Sequence, residues 1–278
     1  MGSTKWRAVV IVSSVWFGGA ARADVVPVSS SNETLSGAAE PPDGARWPRA
    51  VFERPLTLPA GLVLAGPDML ASHAETGTTV VGDLNVGVGI TDEIELNTLT
   101  PTGAFTIKNP DFAGPWDAGL GVAVVRGALG GRLEVIARAV AGYDFEAHAA
   151  RAVRLGVQAQ FNVADRVAVL VHDTGVMPGV TFDAFGSQSV SLGLPVGIGV
   201  QLHPLVWVEA DTNVVTSYSL HAMSQETLAD VAPVFGTAVL NVDHGALDVL
   251  AYGGATDCYR AASTYFIGVG ARYYAGAR

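Results

Sequence analysis

The stretch QSVSLGLPVGIGVQ, residues 188–201, decides the fold. Its even positions are Val190, Leu192, Leu194, Val196, Ile198 and Val200, while Ser189, Ser191, Gly193, Gly197, Gly199 and Gln201 occupy odd ones. A period of two puts the first set on one face of a pleated ribbon and the second on the other. The same alternation recurs on both sides of it. Val80, Leu84, Val86, Val88 and Ile90 oppose Asp83, Asn85, Gly87 and Gly89. Leu133, Val135, Ala137, Ala139, Ala141 and Tyr143 oppose Glu134 and Arg138. Val153, Leu155, Val157, Ala159, Phe161 and Val163 oppose Arg154, Gly156, Gln158, Gln160 and Asn162. No strong helical period competes, so the chain reads as all-β.

The second face chooses among all-β folds. A soluble sandwich turns a Lys-, Glu- and Thr-rich face to water. Here that face is glycine, serine, glutamine and a few charges, and Lys5 and Lys108 are the only lysines. A transmembrane barrel wants an apolar outer face and a polar or small-residue interior. Closure also satisfies every backbone N–H and C=O, which lipid cannot do. The sequence therefore predicts a single closed antiparallel transmembrane β-barrel.

Composition agrees. The 278 residues are 49% hydrophobic and 15% charged, with 33 glycines and a net charge of −10. So few charges argue against disorder, and the acidic balance argues against a nucleic-acid partner. One cysteine excludes a disulfide framework and every Cys-rich metal site.

Strands are expected at 60–71, 78–89, 92–98, 118–126, 131–143, 152–162, 166–173, 188–201, 204–213, 232–242, 246–252 and 264–274. Short connections, such as Thr91-Asp92 and His203-Pro204, alternate with long ones, such as 99–117, 174–187 and 214–231. Twelve strands with short periplasmic turns and long external loops match a bacterial outer-membrane barrel, with ten or fourteen allowed. Pro195 cannot donate to a ladder, so a bulge or kink is expected at Leu194–Pro195.

Ahead of the barrel the chain reads differently. Lys5 and Arg7, an apolar run over 8–21 and Ala21-Arg22-Ala23 predict a signal peptide over residues 1–23. The run is shorter than the roughly 20 residues a spanning helix needs. An uncleaved anchor is the alternative. Cleavage would remove three basic residues and no acid, taking the charge from −10 to −13. Residues 24–59 carry six prolines and no period, and read as a Pro-rich periplasmic linker before a barrel over 60–278.

Arg54-Pro-Leu-Thr-Leu-Pro-Ala-Gly61 resembles the opening of bacterial outer-membrane channels of the phenol-degradation (meta-pathway) type. Gly89-Ile-Thr-Asp-Glu-Ile-Glu-Leu96 is similar to that group's first periplasmic turn, and Asn109-Pro110 followed by Leu120–Val125 fits its next strand. The resemblance implies an outer-membrane barrel with lipid, the barrel assembly machinery and small solutes as partners. Such barrels usually end on an aromatic residue, whereas this chain ends Tyr273-Tyr274-Ala-Gly-Ala-Arg278.

Chemistry-bearing motifs are sparse. Asp173-Thr174-Gly175 copies half of an aspartic-protease site, but no second copy exists to share a proton. Ser217, Ser219 and His221 alternate without a glycine elbow, which leaves a lipid-hydrolase reading weak. The histidines at 73, 148, 172, 203, 221 and 244 form no ligand pair on one face. Catalytic residues, cofactor and metal are all expected to be absent.

The lumen remains. Parity puts Asp83 and Asn85, Glu95 and Asn97, Glu134 and Arg138, and Arg154, Gln158 and Gln160 on the inner face. It adds Arg166, Ser189, Ser191, Gln201, Glu209, Asp211 and Arg272. Glu209 and Asp211 are expected near the external mouth, favouring cations unless Arg138 or Arg154 neutralises them. The many inward glycines favour a pore. The expected function is passive passage of small solutes; the alternatives are a closed structural barrel, a barrel lipid hydrolase and a secreted soluble β-protein.

Overall fold

Alternation along each ribbon leaves one apolar face, and ribbons so patterned can satisfy their backbone only by pairing on both sides. The computed structural model describes residues 47–74, 77–106, 109–111, 116–144, 148–172, 178–183, 189–219, 224–227, 233–242, 245–257 and 264–276. Residues 1–46, with the predicted signal peptide and most of the predicted linker, lie outside the described residues, as does Asp173-Thr174-Gly175.

The strands are β1 (Val63–Ala74), β2 (Gly77–Gly89), β3 (Ile94–Thr106), β4 (Asn109–Asp111), β5 (Trp116–Gly127), β6 (Leu133–Asp144), β7 (Ala149–Ala164) and β8 (Val167–Val171). They continue as β9 (Gly179–Asp183), β10 (Ser189–His203), β11 (Val206–Ser219), β12 (Ser224–Thr227), β13 (Val234–Asn241), β14 (Leu247–Ala255) and β15 (Tyr265–Ala275). All described pairings are antiparallel, and the ring closes where β1 pairs β15, from Val63 opposite Ala275 to His73 opposite Tyr265. β4 and β12 are short additions to β3 and β11. β8 and β9 both pair β7 on one side and β10 on the other, so they share one place in the wall. The wall therefore has twelve strand positions, the number the sequence predicts.

The shared place corrects one expectation. Residues 166–173 were predicted as a whole strand, with 174–187 as an external loop. Instead β8 stops at Val171 and the same wall position resumes at Gly179. Leu170 faces Gly197 while Gly179 faces Gly193, so the register against β10 shifts by five residues across the break. The interruption expected at Pro195 falls in the neighbour. β10 keeps an unbroken register with β11 through Pro195, opposite Asn213, while among the described residues no β8 or β9 partner faces Leu194, Pro195 or Val196. A residue without an N–H is tolerated where the adjoining strand has left the ladder.

The outer surface carries the apolar face. Leu84, Leu96, Leu120, Val153, Leu155, Val157, Leu192, Leu194, Val196, Ile198, Ile267 and Val269 are all exposed. The buried set, Ile136, Val140, Ala168, Leu170, Trp207, Phe235, Val239, Leu250 and Phe266, points inward. The interior is thus more apolar than the sequence predicts, and residues 47–62 explain why.

That segment is not an extended linker where it is described. Three-residue 3-10 turn Val51–Glu53 and its flanks sit inside the barrel at the end bearing the short turns. Val51, Phe52 and Leu56 join the inward apolar cluster, and Trp47, Leu58 and Leu62 pack with Ala246 and Tyr274. A stretch with no strand period can still be buried when another element supplies both the apolar surface and the hydrogen-bond partners.

Candidate functional site

The inner wall and the segment it holds are the candidate site. Residues 47–58 lie on no ladder, so their backbone donors need side-chain acceptors, and inward residues at the short-turn ends of several strands supply them. Leu58 N–H donates to Glu95 Oε2 at 2.9 Å, Leu56 N–H to Glu134 Oε2 at 3.2 Å, and Phe52 N–H to Gln201 Oε1 at 3.0 Å. Gln160 Nε2 donates to the Phe52 carbonyl at 3.4 Å. Arg54 is fully buried and forks onto Asp248, with its Nη2 donating to Oδ1 at 2.8 Å and its Nη1 paired with Oδ2. Its guanidinium lies 5.6 Å from the Trp47 ring centroid and 5.2 Å from that of Tyr274. Two planar hydrogen bonds and two aromatic neighbours hold it in one orientation.

The stretches Arg54–Gly61 and Gly89–Leu96 meet here. Thr57 Oγ1 donates to the Asp92 carbonyl at 2.7 Å, and Ala60 N–H to Asp92 Oδ1 at 3.0 Å. Gly61 N–H donates to the Gly89 carbonyl at 2.9 Å. A Cβ on Gly89 would stand 1.9 Å from the Pro59 carbonyl oxygen, so only glycine lets the segment lie this close.

Ion pairs line the inner wall, two at the short-turn end and that of Asp117 toward the opposite end. Arg138 pairs with Glu95, Arg154 with Asp117, and Arg126 reaches Glu134 at 3.3 Å. Neither Arg138 nor Arg154 is paired with Glu209 or Asp211. Those two carboxylates instead face His172, whose Nε2 lies 2.8 Å from Glu209 Oε1 and 3.1 Å from Asp211 Oδ1. Their height also differs from expectation. β11 runs on to Ser219, past the predicted end at 213, so Glu209 and Asp211 sit toward its short-turn end and not at the far mouth.

The remaining residues singled out by parity fall in distinct places. Gln158, Gln160, Gln201 and Arg272 are buried. Asp83 stands directly across from Asp68, and Asn85 across from Gly66. Asn97 fills the space a side chain at Gly119 would need. Ser189 and Ser191 are half-buried on β10. Arg166 is exposed in the turn between β7 and β8, because β8 begins one residue later than parity assumed. Inward glycines do not leave open space. A Cβ at Gly199 would lie 1.9 Å from Trp207, one at Gly197 1.7 Å from Asp211 Oδ1, and one at Gly268 2.3 Å from Tyr252. A neighbouring side chain already occupies the space over each.

Sequence reasoning missed Arg54, Asp117, His172, Trp207 and Asp248. Asp117 and Asp248 carry a usable signal, since each shares the parity of inward residues on its own strand. His172 carries the same signal, sharing the parity of Ala168 and Leu170, while Arg54 carries none, because it lies on no strand and its partner is 194 residues away.

No protein-family model matches the sequence, and no curated protein matches it. Solved structures do resemble the fold. NanC porin is 8% identical with a TM-score of 0.50, covering 74% of this chain and 98% of that one. KdgM porin is 8% identical with a TM-score of 0.46, over 76% and 98%. An outer-membrane channel from Pseudomonas putida F1 is 10% identical with a TM-score of 0.44, over 85% and 100%. The likeness to NanC, at that identity, is one of fold: a closed antiparallel barrel of the outer-membrane type.

Proposed function

We propose that the chain is an outer-membrane channel for passive passage of small solutes, stopped at its short-turn mouth by residues 47–62. The observation that carries this reading is how the segment is held. Side chains of the wall grip residues 47–58, whereas the wall is closed independently by its own ladder. A barrel that needed filler for stability alone could use inward side chains, as small barrels do. The apolar outer face supports a lipid environment, and the start of the sequence supports export through a cleaved signal peptide and assembly by the barrel machinery. The packing of Arg54–Gly61 against Gly89–Leu96 supports placement among the phenol-degradation type channels.

Single-channel recording in planar bilayers tests the reading. The variant lacking residues 47–59 should conduct steadily and several-fold more than the full chain. A folded variant that conducts no more than bare lipid would end the channel reading. That result would favour a closed structural barrel, which the filled space over Gly197, Gly199 and Gly268 supports.

A further inference from the structure

We propose that His172, Glu209 and Asp211 form a binding site for one divalent first-row transition cation of the zinc class, set into the inner wall. The three come from neighbouring positions of the wall. His172 stands where β8 leaves the ladder, and Glu209 and Asp211 are successive inward residues of β11. Between them lies β10, bare at Gly197 and Gly199, the residues opposite Asp211 and Glu209. One donor atom from each residue lies within 4.8 Å of the other two. Donors about 2.0–2.2 Å from a tetrahedral zinc ion stand about 3.3–3.6 Å apart, so the cluster needs only small adjustments around an ion.

Charge points the same way. Asp248, Glu95, Asp117 and Glu134 each face an arginine. Among the described residues, Glu209 and Asp211 have an ion-pair partner only in one imidazole, although their side chains are 6% and 0% exposed. With the imidazole neutral, as a metal ligand must be, the two buried carboxylates carry −2, the complement of a divalent ion. A second observation is independent of that balance. Asp211 Oδ2 is fully buried and has no hydrogen-bond partner among the described residues. Such an atom is costly to leave unsatisfied, and it belongs to the cluster itself. Trp207 Nε1–H donates to Glu209 Oε2 at 3.0 Å and fixes that carboxylate, as outer-shell donors do around metal ligands. One nitrogen with two carboxylates suits zinc, cobalt or nickel better than calcium or magnesium, which take oxygen donors.

The test uses untagged full-length protein, folded in detergent and stripped of metal with a chelator. Titration with Co2+, followed by its visible absorption, and with Zn2+, followed by calorimetry, should each show one equivalent. His172→Gln and Asp211→Asn should each weaken binding at least tenfold, while His203→Gln, at the exposed last residue of β10, should leave it unchanged. The gel shift on heating reports whether each variant has folded. X-ray absorption of the zinc-loaded native protein needs no variant and should show a single imidazole ligand. The proposal is overturned if the folded native protein binds neither ion, or if binding persists undiminished in both folded variants. Two or more imidazole ligands would also overturn it, since the cluster holds one histidine.

Discussion

At the residue scale, Glu95 carries two duties that separate by substitution. It accepts the Leu58 N–H and pairs with Arg138, all buried. Glu95→Gln keeps an acceptor for Leu58 but loses the charge, whereas Glu95→Ala loses both and strands Arg138. Removing one partner of a buried pair costs about 3–5 kcal/mol. Urea unfolding in detergent, followed by the heat-sensitive gel shift, should therefore rank Glu95→Ala well below Glu95→Gln. Equal midpoints would show that the acceptor offered to the Leu58 N–H is not what Glu95 contributes. Gly199→Ala is the steric counterpart, since its Cβ would fall 1.9 Å from Trp207. Overpacking of this kind costs about 1–3 kcal/mol, and the midpoint should drop accordingly. Side-chain direction at these positions was legible, because parity alone gives it. The partners were not. Which acid meets which arginine depends on strand neighbours and on a segment that runs along no strand.

At the element scale, the segment 47–62 and the wall should come apart in experiment. Asp248 holds Arg54 but also accepts from Asn241 Nδ2 at 2.9 Å, so its loss leaves β13 and β14 still joined by their ladder. Asp248→Ala should keep the heat-sensitive gel shift while opening the peptide bond between Arg49 and Ala50 to trypsin, which the native fold protects. Cleavage there at the same rate in both proteins would show that Asp248 does not anchor the segment. The strands themselves were readable because period-two patterning survives wherever one face is apolar and the other is polar or small. Two elements escaped it. Residues 47–59 have prolines at 48, 55 and 59 and no period, so burial supplied by other strands leaves no mark on their spacing. The break between β8 and β9 adds five residues to an otherwise regular register, and an insertion looks like a loop when its flanks are not known to share a wall position.

At the scale of the whole molecule, stability rests on closure. β15 pairs β14 on one side and β1 on the other, so the last strand turns an open sheet into a ring. In a ring every strand has two neighbours, and no row of N–H and C=O groups faces lipid or detergent. Unfolding must first open that ring, at a cost of many hydrogen bonds together, so the folded barrel should survive dodecyl sulfate until heated. The native protein should therefore migrate faster unboiled than boiled. Removing residues 265–278 deletes β15 and leaves two edges, and this variant should migrate alike in both states. Removing residues 47–59 touches no ladder and should preserve the difference. The exposed belt of Leu84, Leu96, Leu120, Leu155, Leu194, Ile198 and Ile267 adds a second expectation, that extraction from the outer-membrane fraction requires detergent. A native protein that is recovered from periplasm without detergent, or that shows no shift on boiling, would not be a membrane barrel.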